Sequence, residues 1–175
     1  MLIRTAAVLM FALLAGCDGS NSSGAGAPEP TAKAPTAATP EVAARITGAY
    51  SGTFESTGSI FCSKDALSGG EGFELYAMKM PEQLNLKMPR ATKPGQYTIT
   101  DGAGAPIDFY YTDPHRVKYD QIRSADIRLV TVPQAQGERL TGDITGTLES
   151  DDGQSVNVDI HLDLDAGAQS FDECG

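Results

Sequence analysis

Between Ser155 and Asp165 the chain alternates without a break. Val156, Val158, Ile160, Leu162 and Leu164 fall on one parity; Ser155, Asn157, Asp159, His161, Asp163 and Asp165 fall on the other. Side chains of a β-strand point to opposite faces in turn, whereas the apolar stripe of a helix recurs every three or four residues. This stretch is therefore a strand with one dry face and one wet face, and it needs paired neighbours and a covering layer to be stable. Asp151-Asp152-Gly153 supplies a turn before it, and Leu140, Ile144 and Leu148 mark the strand on the far side of that turn. Ala125, Ile127, Leu129 and Thr131 mark another, so the three predict an antiparallel meander.

The same punctuation extends back to residue 43. Ile46, Tyr50 and Phe54 share a parity and read as one strand, with Gly48 and Gly52 on the same face leaving room for close packing or marking bends. Ser59 to Ser63, Phe73 to Lys79, Gln83 to Met88, Gln96 to Thr100 and Ile107 to Thr112 complete a set of about nine strands, with no convincing helix. The expected fold of residues 43–175 is an all-β antiparallel sandwich, with a small closed β-barrel as the alternative. At this length one domain and one core are expected.

The N-terminus has a different character. Arg4 is followed by an uncharged run from Thr5 to Gly16, which matches a signal-peptide core and is shorter than the ~20 residues that span a bilayer. It ends in Leu14-Ala15-Gly16-Cys17, which resembles the lipobox of bacterial lipoproteins. The resemblance covers residues 1–17 alone. It implies cleavage after Gly16, a diacylglyceryl group on the Cys17 thiol, and a protein held to the cell envelope by lipid, facing the periplasm. Asp18 resembles the inner-membrane retention signal of enteric bacteria, although either membrane fits. Of the 25 residues from Asp18 to Val42, 19 are Pro, Gly, Ser, Ala or Thr, a composition that cannot bury a core and reads as a flexible tether.

With Cys17 taken by lipid, Cys62 and Cys174 remain as an even pair in an exported chain, and a disulfide between them is expected. Closing a loop across 112 positions contributes up to ~4.7 kcal/mol in the idealised loop-entropy treatment. Without Arg4 the mature chain has 12 Lys and Arg against 23 Asp and Glu, a net charge of −11. That acidity argues against nucleic acid as a partner and against unaided adsorption to anionic headgroups, so the membrane partner is reached through the lipid on Cys17. Charge is uneven: Lys79, Lys87, Arg90 and Lys93 face only Glu82 in their segment, while no Lys or Arg follows Arg139.

Chemistry is sparsely signalled. Asp159, His161 and Asp163 share a strand face and are weak metal candidates, because strand neighbours two apart sit ~6.6 Å from one another and do not converge on one ion unaided. A solvated polar face is the alternative. His115, in Asp113-Pro114-His115-Arg116, reads as an exposed turn residue, and no Gly-x-Ser-x-Gly presents a nucleophile. Phe109, Tyr110, Tyr111 and Tyr119 suggest an aromatic contact patch near Arg116 and Lys118, half of it buried by alternation. The reading is a non-enzymatic envelope module without a cofactor, structural or binding another envelope protein. The alternative is small-molecule, glycan or ion binding in a β-domain pocket. Replacing Cys17 with Ala is expected to move the protein from the membrane fraction to the soluble periplasmic fraction or medium; continued membrane fractionation would overturn the lipobox reading.

Overall fold

A computed structural model describes residues 40–67 and 70–167. The signal segment, Cys17, most of the tether and Cys174 lie outside the described residues. Eleven strands are present: β1 (Val42–Gly48), β2 (Gly52–Ser56), β3 (Gly58–Leu67), β4 (Gly70–Lys79), β5 (Glu82–Pro89), β6 (Gly95–Thr100), β7 (Ala103–Gly104), β8 (Asp108–Thr112), β9 (Lys118–Thr131), β10 (Arg139–Ser150) and β11 (Ser155–Asp165). The fold is all-β and every strand pairing is antiparallel.

Nine strands form one path in the order β2-β1-β11-β10-β9-β8-β5-β4-β3. Chain order is almost spatial order, except that β1 returns to pair with β11, Val42 meeting Leu162 and Gly48 meeting Val156. The two ends of the path, β2 and β3, are joined through Thr57 alone. The Ser56 hydroxyl on β2 donates to the Met78 carbonyl on β4 at 2.8 Å, so the curled sheet comes back to itself. Such a nearly closed sheet is at once a flattened barrel and a two-layer sandwich.

The meander of β9, β10 and β11 forms as expected, and the five apolar residues of β11 are all buried. The loop between β10 and β11 turns at Gly153, whose φ of +80° suits glycine. The stretch read as a single strand through Ile46, Tyr50 and Phe54 is instead two. β1 ends at Gly48 with φ +119°, and Ala49 to Ser51 turn the chain into β2. The shared parity survives because Ile46 and Phe54 meet the same core from successive strands, while Tyr50 packs against it from the turn. With this split and the two-residue β7, the nine expected strands become eleven.

One core fills the curl, and its largest fully buried side chains include Phe54, Phe73, Phe109, Tyr111 and Tyr119. β9 and β10 slip register between Thr141 and Gly142, between Thr147 and Leu148, and between Glu149 and Ser150. A Cβ on Gly142 would stand 2.4 Å from the Arg128 carbonyl oxygen, so glycine is needed for that approach. Leu162, buried at the centre of β11, packs from the strand that joins the two halves of the path. Leu162→Ala is expected to cost about 2 to 5 kcal/mol in urea unfolding, and Thr145→Ala on the exposed side of β10 less than about 0.5 kcal/mol. Equal costs would contradict this placement of the core.

Candidate interaction face

Two surfaces wrap the core, and they differ in kind. Over β1, β11, β10, β9 and β6 the outward side chains are mostly polar and solvated, Thr145, Asn157, Asp159, Arg128 and Arg139 among them, with Val130 as an exposed apolar exception. Thr147 donates to Asn157 Oδ1 at 2.9 Å, and the Thr131 and Thr141 hydroxyls lie 2.8 Å apart. A trough of about 540 Å³ opens over Arg45, Thr47, Thr147, Asn157 and Asp159, and another of about 470 Å³ lies where β9 parts from β8 beside Ile107, Asp108 and Ile122. Both are open to solvent; the first lies on the outer face of the sheet, and the second reaches the core residues Ile107 and Ile122.

The outward face of β3, β4, β5 and β8 is built differently. Register places Ser59, Tyr76, Asn85 and Tyr110 in one row across the four strands, and Phe61, Glu74, Lys87 and Asp108 in the next. Phe61 and Tyr76 stack at 5.4 Å between ring centroids with planes 8° apart. Lys118 stands 4.5 Å over the Tyr110 ring while pairing with Asp120 at 2.9 Å. Gln83 donates to the Tyr110 hydroxyl at 2.8 Å. Beneath these long side chains Asn85 is 0% exposed and Glu74 only 6%, although both belong to the side away from the core.

Burial without partners would make Glu74 costly, and donors supply the compensation. Asn85 Nδ2 donates to Glu74 Oε1 at 3.2 Å and to the Leu75 carbonyl at 3.1 Å, and Lys87 Nζ lies 3.0 Å from Glu74 Oε1. Burial pushes the carboxyl up, but hydrogen bonds from Tyr76, Lys87 and Asn85 outweigh it and hold it below the usual range. The Tyr76 phenol is pushed up to about 12, by burial first and then by its bond to the Glu74 carboxylate. Among the described residues Asn85 Oδ1 has no hydrogen-bond donor. The face is thus a fixed polar network roofed by aromatic rings.

A second polar group closes one end of the core. Tyr50, Tyr111 and Tyr119 stack in series at 6.2 and 6.4 Å, and Phe54 meets Tyr111 edge-on at 6.3 Å. Tyr111 donates to Glu82 Oε1 at 2.7 Å, which accounts for a nearly buried carboxylate at the start of β5. Asp113, also buried, accepts the backbone N–H of His115 at 2.8 Å and of Val117 at 2.9 Å, so it stabilises the turn into β9. Burial raises the Tyr111 phenol well above its ordinary value, with the bond to Glu82 adding to the effect. Burial likewise raises Tyr50 and Tyr119.

The residues singled out from sequence are distributed among these features. Asp163 is held by Arg139 at 2.7 Å, with Asp165 at 2.9 Å from the same guanidinium. His161 Nδ1 lies 2.9 Å from Asp143 Oδ1, and Asp159 faces Arg45 and Thr145 across the sheet. The three strand-face candidates are therefore each turned to a different neighbour, and among the described residues no three metal-binding side chains gather. His115 is exposed in its turn. Cys62 is fully buried on β3. Alternation splits the aromatic run as expected, with Phe109 and Tyr111 inside and Tyr110 outside beside Lys118. The basic and acidic segments each neutralise part of their charge across their own strand pairs, as in Arg90 with Glu71 at 3.7 Å.

No protein-family model matches the chain, no curated protein matches its sequence, and no solved structure matches its fold. Glu74, Asn85 and Glu82 escape sequence reading because their burial is imposed by strands distant in the chain. On alkaline titration the phenols of Tyr50, Tyr76, Tyr111 and Tyr119 are expected to ionise later than ordinary tyrosine. Because their folded pKa values are raised, the stability they contribute is complete below the ordinary tyrosine pKa and is lost as pH climbs through the folded values. Phenolate absorbance followed beside circular dichroism checks this: all four titrating normally in the folded protein would contradict the packing described.

Proposed function

We propose that the chain is a lipoprotein of the bacterial cell envelope, anchored through Cys17, whose β domain docks another envelope protein on the outward face of β3, β4, β5 and β8. The observation that carries the docking reading is the contrast between the two surfaces. A soluble sheet face ordinarily carries solvated polar residues, as β10 and β11 do. The face over β4 and β5 instead presents the half-buried aromatic rings of Phe61, Tyr76 and Tyr110. Aromatic residues are enriched at protein interfaces, and tyrosine offers large contact area with little loss of freedom.

The alternative, binding of a small molecule, glycan or ion in a β-domain pocket, is less favoured because large side chains fill the core among the described residues. The anchor reading is supported by the lipobox resemblance at Cys17, and the membrane that receives it is the inner or the outer one, with the domain facing the periplasm. A disulfide between Cys62 and Cys174 belongs to the same proposal: Cys62 is buried on β3, where a covalent tie would fasten the C-terminus to the last strand of the path.

Photo-crosslinking in intact cells tests the docking face. Benzoylphenylalanine replacing Tyr76 or Tyr110 is expected to trap one protein partner, and the same group replacing Thr145 is expected to trap none. Absence of an adduct from both face positions, or the same adduct from all three, would overturn the proposal.

A further inference from the structure

The turn between β4 and β5, with the end of β4 that leads into it, exposes two large apolar side chains. Met80 is 79% exposed and Met78 53%; with Val130 they are the large apolar side chains left in solvent. Lys79 and Pro81 between and beside them are exposed too. The next acid, Glu82, is turned inward to the Tyr111 hydroxyl, and among the described residues Lys79 has no ion-pair partner. In a chain with net charge −10, this projection therefore carries a cation, two flexible apolar side chains and no outward carboxylate.

The turn also lies beside the place where the chain enters the domain. Ser56 pairs with Val42 across β2 and β1, and its hydroxyl donates to the Met78 carbonyl. The Gly58 N–H donates to Glu41 Oε2 at 3.0 Å, so the entry of the chain at Pro40 and Glu41 is tied to the same corner. Cys17 stands 23 positions before Pro40.

We propose that the β4–β5 turn is the contact the anchored domain makes with the surface of the bilayer, Met78 and Met80 entering the headgroup boundary and Lys79 meeting anionic phosphates. This inference rests on the lipid anchor at Cys17. Two methionines and one lysine bind a membrane too weakly to act alone, but a tether holds the domain at high local concentration above the lipid, where a small preference decides which side faces down.

The chain contains no tryptophan, so a single one reports its own surroundings. Mature lipidated protein carrying Met80→Trp, or Ala135→Trp in the loop after the far end of β9, is reconstituted into phosphatidylethanolamine–phosphatidylglycerol vesicles with brominated acyl chains. Both positions are exposed, so folding is expected to be unchanged. The expected result is flotation of both proteins, with emission of the Met80→Trp protein shifted to the blue and quenched at least about twofold more than that of the Ala135→Trp protein, as for a side chain at the interface. Flotation with equal quenching at the two positions overturns the inference while leaving the anchor standing. Failure of the lipidated protein to float overturns the anchor and this inference with it.

Discussion

The fold depends on the pairing of its first strand with its last. β11 carries five inward apolar residues, and with β10 alone on one edge it would leave its other edge bare. β1 covers that edge along seven residues and brings β2 with it, so that Val42 meets Leu162, 120 positions away. Because β2 runs through Thr57 directly into β3, the same pairing draws the other end of the path back over the core. Burial of Phe54, Ile46 and the β11 residues in one core follows from that single closure. Contacts so distant in sequence impose their loop entropy before they return any stability, which places this chain among the slower-folding topologies.

Closure also decides what the outside can do. Inward positions all serve one apolar core, so any specificity must come from outward residues or from the ends. The outward residues of β10 and β11 remain polar and largely solvated, and their ion pairs, such as Arg139 with Asp163, are exposed and worth little to stability. Over β4 and β5 the outward residues are long, and they bury Glu74 and Asn85 in a second, polar layer. Holding that layer rigid has a desolvation cost that three donors to Glu74 offset, and the same rings that roof it provide the docking surface of the proposed function. The end cluster of Tyr50, Tyr111, Tyr119 and Glu82 works in the opposite sense, sealing the core where the turns after β1, β4 and β8 converge.

Legibility followed the range of the interaction. The alternation in Ser155 to Asp165 is a local pattern, and it identified β11, its buried face and its meander partners without ambiguity. Gly48 and Gly52 left close packing or a bend open, and the reversal between them was hidden, because Ile46 and Phe54 keep the same parity whether the chain runs straight or doubles back into the same core. Asn85 and Glu74 sit at outward positions of their strands, so alternation assigns them to solvent; what covers them is contributed by β3 and β8 through register that no local pattern encodes. For the strand-face residues around His161 the local spacing was itself informative: neighbours ~6.6 Å apart do not converge on one ion unaided, and the adjacent strand turns Asp163 to Arg139 and His161 to Asp143. The closing pairing of β1 with β11 was equally hidden, since nothing local links residue 42 to residue 162.

Native-state hydrogen exchange measures that closure most directly. If β1 and β11 hold the sheet together, their amides exchange only with global unfolding, at the same free energy as those of β10. Exchange of β1 and β2 through a low-energy local opening, with β9, β10 and β11 still protected, would show that the sheet is stable unclosed and would contradict the account.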